Sequence, residues 1–163
     1  MNRTFVHLDV ASPLGQLRIV AHDRVIVAIH LPDRANAAIP ASQPDSRHSI
    51  LREAAAQLDA WFAGRRKTFA LPIAPIGTDF QKSVWSALER IPFGQTRSYV
   101  QLAVGLGRPR ASRAVGAANG RNPIPIIVPC HRVIGSDGSL TGYAGGLAAK
   151  RLLLDHEAAL AGD

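Results

Sequence analysis

The chain has 163 residues, 47% hydrophobic and 19% charged, which is enough to bury a core without staples and too little charge for disorder. No apolar run reaches the roughly 18 residues of a membrane span, and His7 and Asp9 break up the start, so no signal peptide is readable and a cytoplasmic address is the default. The single cysteine, Cys130, excludes an internal disulfide framework and a multi-cysteine zinc site. The net charge of +7 is concentrated: from Gln95 to Arg132 there are six arginines and no acidic residue. Such a stretch suits a polyanion such as nucleic acid, or is simply a solvated basic face; charge alone does not decide.

Runs at Phe5–Val10, Gln16–Ala21 and Val25–Leu31, divided by turn residues, predict three short strands in an antiparallel meander. Pro32 to Ser46, with three prolines, reads as a loop. Ile50, Leu51, Ala54, Leu58, Trp61 and Phe62 then recur at helical spacing and predict a helix that covers the sheet. Phe69 to Gly77 reads as a short extended linker, which places a domain boundary near Ile76: a sheet-plus-helix domain over 1–76 and a second domain over 77–163.

The second domain opens on a capping box, Thr78-Asp79-Phe80-Gln81, that starts a helix ending near Arg90. After the Pro92-Phe93-Gly94 turn, Ser98-Tyr99-Val100-Gln101 repeats the box at the head of a short helix stopped by Gly105 and Gly107. Pro109 suits the first position of the next helix, Pro109 to Ala118, which Gly120 can end. Two short helices joined by a glycine turn predict a helix-turn-helix. The second is nearly bald: Ala111, Ser112, Ala114 and Gly116 are small, and Arg113 is its one reaching side chain. Alone, that pattern reads as tight helix packing; beside the acid-free arginines Arg97, Arg108, Arg110 and Arg121 it reads as a helix shaped to enter a groove.

Asn122 to Ile134 is an apolar run with prolines at 123, 125 and 129, which predicts a stiff extended segment that presents Cys130 and His131 at its end. A lone cysteine in such a run is usually an inert core residue, but His131 and Arg132 supply a base and positive charge that favour a thiolate. On an extended chain neighbours point to opposite sides, so His131 needs a turn or a bridging water to serve the sulfur. A small-residue loop, Thr141-Gly142-Tyr143-Ala144-Gly145-Gly146, can wrap a flat ligand. It leads into a last helix from Leu147 to about Leu160 that sets Glu157 beside its apolar face, either buried with His131 as a fitting partner or resting at the rim in water.

Pro129-Cys130-His131-Arg132-Val133, preceded by Asn122-Pro123 and followed by Tyr143-Ala144-Gly145-Gly146, resembles the active-site motif of the O6-alkylguanine-DNA alkyltransferases, or methylated-DNA-protein-cysteine methyltransferases. The likeness spans roughly Thr78 to Glu157 and includes the helix-turn-helix. It implies an α/β (α+β) fold: an RNase H-like antiparallel sheet with a helix, then a mostly helical DNA-binding domain with a winged-helix-like helix-turn-helix. It also implies direct-reversal DNA repair, in which Cys130 takes the alkyl group from O6 of guanine, and from O4 of thymine, in double-stranded DNA in one irreversible turnover after base flipping. His131 would act as base through a water, with Glu157 orienting it and Asn122 bracing the site. Tyr99, Val133, Tyr143, Ala144 and Gly145 would read the flipped base, and Arg113 would fill the vacated stack. Ala144 stands where some relatives have serine, which bears on substrate breadth. No metal, cofactor, membrane or obligate protein partner is implied.

Three other readings compete. A lesion reader without chemistry would lack the nucleophile, a helix-turn-helix regulator would not need Pro-Cys-His-Arg, and a cysteine hydrolase would not explain Arg113 on a bald helix.

Overall fold

Alternating apolar residues and tight turns fold the start of the chain into three antiparallel strands: β1 (Phe5–Val10), β2 (Leu17–His22) and β3 (Val25–His30). The structure is a computed structural model; it describes residues 3–32, 39 and 41–161. By internal contacts the chain divides into two units, Met1–Ile76 and Gly77–Asp163. Among the described residues no helix is long and apolar enough to cross a membrane.

In the N-terminal unit the strand order is β3-β2-β1-β4. The last strand, β4 (Gln43–Pro44), pairs parallel with β1 and lies inside the segment expected to be a loop; residues 33–38 and 40 of that segment lie outside the described residues. Helix α1 (Ser49–Phe62) packs on β1, β2 and β3 and buries Leu51, Ala54, Leu58 and Trp61, while Phe5, Val20, Val27, Ala28 and Ile39 form a further apolar cluster. The expected linker proves to be part of this unit. Ile73 bridges to Ile26 of β3, Ile26 donates to the Pro72 carbonyl, and the buried amide of Gln57 both donates to and accepts from Ala70. An extended segment carries unpaired backbone groups, and here a strand edge and one glutamine satisfy them.

In the C-terminal unit both capping boxes form as read. Thr78 and Gln81 close the start of α2 (Asp79–Glu89), and Ser98 and Gln101 that of α3 (Tyr99–Gly105). The next helix, α4 (Ser112–Gly120), starts later than expected, with Ala111 as its N-cap. Pro109 lies in the turn between the helices, and Gly120 is the last helical residue. Packing of α4 against α2 and α3 gives the helix-turn-helix its shape, and the Trp85 indole N–H ties it down by donating to the Ala118 carbonyl at 2.8 Å. Two-residue strands β5 (Arg97–Ser98) and β6 (Val133–Ile134) pair in parallel, and α5 (Leu147–Ala161) closes the unit.

Candidate active site

The segment before Cys130 is folded back on itself, where the three prolines suggested an extended chain. Ile126 has φ 75°, and Ile127 donates to the Pro125 carbonyl at 2.9 Å: a γ-turn with positive φ at a β-branched residue, the rarer and strained form. A second tight turn follows, with Pro129 at φ −81° and ψ 66° and Cys130 N–H donating to the Val128 carbonyl. Asn122 staples the arch: its amide donates to the Val128 carbonyl at 2.8 Å and its oxygen accepts from Ile124 N–H at 3.0 Å. Cys130–Arg132 then form one turn of 3-10 helix, the turn that the Cys-His pair needs. Cys130 is 5% exposed and His131 is fully buried.

Glu157 is the hub behind the thiol. One carboxylate oxygen takes a hydrogen bond from His131 Nε2; the other accepts from Arg132 Nε at 2.7 Å and from Gly94 N–H at 2.9 Å. Arg132 also donates to the Ile91 carbonyl. A carboxylate this deep is tolerable only with such company. Burial alone would raise its pKa, but the hydrogen bond from His131, with Gly94 N–H and Arg132, holds it below its ordinary value. Gly94 is required here. Its φ is 80°, and a Cβ would come within 2.4 Å of the Ala161 side chain. Arg132, counted in the sequence with the cationic stretch, is 7% exposed and belongs to this network, so it is not part of a basic surface.

His131 is held below its ordinary pKa, first by burial and further by the charges of Arg132 and Lys150, against the opposing pull of Glu157. It is neutral at pH 7. With the Nε2 proton given to Glu157, the lone pair falls on Nδ1, the nitrogen able to take a thiol proton. Burial pushes the Cys130 thiol up to about 11, with the Asn122 side chain and Lys150 drawing it back down. The thiol is therefore protonated at rest, and a nucleophilic sulfur requires a proton acceptor at the moment of reaction.

The loop that follows forms the rim. Tyr143 is 8% exposed, Ala144 is exposed and Gly145 half-buried. The Tyr99 hydroxyl donates to the Thr141 carbonyl at 3.1 Å, and its ring faces Gly116 of α4. Val133, fully buried, offers its carbonyl to Lys150 Nζ, which also donates to the Thr141 carbonyl at 2.9 Å. Cys130, His131, Val133, Tyr143 and Glu157 thus share one buried neighbourhood, braced by the half-buried Asn122. Lys150 belongs there too and was not singled out from the sequence, where a lysine on a helix reads as solvated; its place beside the Gly-rich loop was the signal available.

The remaining candidates lie outward. Arg113 and Ala114 are exposed on α4, while Ala111, Ser112 and Gly116 are half-buried. Arg108, Arg110 and Arg121 are exposed; Arg97 is half-buried, with its guanidinium donating to Thr96 and Gln95. No group of three His, Cys, Asp or Glu side chains converges as metal ligands among the described residues.

A helix-turn-helix unit that encloses a cysteine backed by a histidine–glutamate pair defines the class of protein. Comparison with known families identifies which one. Residues 79–159 match the 6-O-methylguanine DNA methyltransferase DNA-binding domain, and residues 7–75 match the ribonuclease-like domain of the same family. The methylated-DNA–protein-cysteine methyltransferase of Methanosarcina barkeri is 51% identical over 149 residues, covering 91% of this chain and 94% of the relative. The constitutive Bacillus subtilis enzyme of that name is 48% identical, covering 82% and 83%. Among solved structures, Mycobacterium tuberculosis OGT in complex with DNA superimposes with a TM-score of 0.87 at 44% identity, covering 96% of this chain and 94% of that one. The chain belongs to the 6-O-methylguanine DNA methyltransferase family.

Proposed function

We propose that this protein is a methylated-DNA–protein-cysteine S-methyltransferase that repairs double-stranded DNA by moving the alkyl group of O6-alkylguanine onto Cys130. The observation that carries the reading is the buried Cys130-His131-Glu157 arrangement within a helix-turn-helix unit, in a chain so similar to methyltransferases. Displacement at a saturated carbon calls for a soft nucleophile, and a thiolate is the best a side chain offers. His131, through a water, takes the thiol proton; the sulfur forms a bond to the alkyl carbon, the carbon–O6 bond breaks, and its electron pair stays with guanine. The proton lost by the thiol ends on guanine, which leaves normal base and a thioether. No residue nearby reverses a thioether, so each molecule acts once.

A thiol this enclosed reaches a base only when the base leaves the stack, so flipping is part of the reading. Arg113, on a helix otherwise faced with small residues, suits the gap left behind, and the exposed Arg108, Arg110 and Arg121, with the half-buried Arg97, suit phosphates. Tyr99, Tyr143, Ala144, Gly145 and the backbone of Val133 suit recognition of the flipped base, and O4-alkylthymine is a second candidate substrate. Asn122 braces the arch that carries the thiol. A DNA substrate and a lone free cysteine fit a cytoplasmic setting.

The test is intact mass after incubation with duplex DNA containing O6-methylguanine. One methyl group on the wild-type protein, mapped to Cys130, is expected, while Cys130→Ser binds the same duplex and stays unmodified. Methylation of Cys130→Ser at the wild-type rate would remove Cys130 from the mechanism, and an unmodified wild-type protein bound to the duplex would make it a lesion reader.

A further inference from the structure

Lys150 is the least expected residue of the C-terminal interior: a lysine with no exposed surface on the first turns of α5. Its Nζ donates to two backbone carbonyls, those of Val133 and Thr141. Among the described residues no carboxylate lies within ion-pairing distance of it. Two neutral carbonyls orient an ammonium but do not neutralise it, and a buried charge without a counter-charge is costly. The cost is offset if a negative charge forms beside it during the reaction.

We propose that Lys150 is a positioning residue for the alkyl transfer, the fixed cation against which Cys130 becomes a thiolate. The inference rests on Cys130 being the nucleophile. Two carbonyls aim the ammonium, one ending the Cys-His-Arg turn and the other opening the rim loop, so the charge cannot swing away to water. Thr141 also accepts from Tyr99, which uses both lone pairs of its carbonyl. Drawing Tyr99 onto a bound base would release one of them and leave Lys150 holding the loop.

The groups acting on the thiol come from three elements. Lys150 on α5 favours its ionised form, as does the Asn122 amide, while the charge of Cys130 acts in turn on Tyr143 of the rim loop. His131, next in sequence, is set by Glu157 and Arg132. The coupling between Cys130 and Lys150 is mutual: burial lowers the lysine's pKa, and Cys130 raises it.

The experiment measures the alkylation rate of Cys130 by iodoacetamide between pH 6 and pH 10, by mass, in wild type and Lys150→Met, alongside single-turnover methyl transfer from an O6-methylguanine duplex. Removing the cation should move the rate profile up by about one pH unit, which is about tenfold in rate at neutral pH. Superimposable profiles would overturn the proposal. Because iodoacetamide needs no base pocket, failure of wild type to accept methyl from DNA would count against the repair function and leave the Lys150 comparison intact. Should Lys150→Met not fold, the wild type answers by itself. The chain has three lysines, so a carbon-13 lysine spectrum can locate the pH at which Lys150 loses its proton, and the wild-type alkylation rate, rising with pH below that point, should flatten through it as the cation is lost. A rate that rises without a break through the Lys150 titration would refute the proposal.

Discussion

Each unit of the chain contains an arginine paired with a carboxylate, and the two pairs have opposite consequences. Arg18 and Asp9 face each other across β1 and β2 at 2.8 Å, with side chains 44% and 31% exposed; Arg132 and Glu157 meet at 2.7 Å with 8% and 2% exposed. The first pair sits where water already solvates both charges, so closing it gains little. The second cannot be opened without stranding a charge, and it is bound to His131, Gly94 and Ile91 as well. The difference extends to the interiors. The N-terminal unit buries only His7 and Gln57 among its described polar side chains, whereas the C-terminal unit buries Asn119, His131, Arg132, Lys150 and Glu157. One unit is held by hydrocarbon and backbone pairing; the other accepts costly polar burial around a single sulfur.

Removing the carboxylate gives the largest expected effect. Glu157→Gln leaves Arg132 without its counter-charge and His131 without its anchor, a loss of about 3–5 kcal/mol in stability. Methyl transfer should slow as well, on duplex and on free O6-methylguanine alike, because both need the histidine. Urea unfolding and single-turnover rates test this, and a variant with unchanged unfolding midpoint would mean the pair is not the support that its burial suggests.

Acid titration probes the comparison next. Burial holds one histidine in each unit below its ordinary value of 6.5: His30, half-buried, and His131, fully buried. Below pH 6.5 the unfolded chain takes up protons that the folded chain resists, so stability is full above that value and falls as the pH drops, by at most about 1.4 kcal/mol per pH unit for each site. Glu157, held below 4.5, adds its own loss only beneath that value. His30→Asn removes the N-terminal share, and its urea midpoint should still fall between pH 7 and pH 5. A flat profile would contradict a neutral, buried His131.

Asp9→Asn should do least, about 0.2–1 kcal/mol, with much of even that screened by salt. A loss comparable to that of Glu157→Gln would break the contrast between the units.

Features governed by near neighbours were legible in the sequence. Thr78 with Gln81 and Ser98 with Gln101 are three residues apart, and both boxes close as read. The three strands and α1 follow from apolar spacing. What was illegible depends on partners far along the chain. β4 is two residues long and exists because β1 offers an edge, and Phe69 to Gly77 is drawn in by Ile26 and Gln57. Around the site, helical spacing set Glu157 beside the apolar face of its helix, with His131 as a fitting partner but no local signal that the two meet. Arg132 could not be separated from the exposed arginines without knowing that Glu157, 25 residues on, would meet it. The positive φ of Ile126 contradicts the local preference of a β-branched residue, so only the surrounding arch, closed by Asn122, imposes it.

The depth of Cys130 has a bearing on the lifetime of the molecule between encounters. Under the proposed reaction every copy is a reagent consumed on use, so copies lost to peroxides or stray electrophiles are repair capacity lost. Oxidation and adventitious alkylation both proceed through the thiolate and need access. A cysteine 5% exposed, its thiol pushed up to about 11 by burial, is poorly available to either. The enclosure that forces a damaged base to be brought to the sulfur thereby also preserves the unused protein, and selectivity for the lesion and chemical durability arise from the same few side chains.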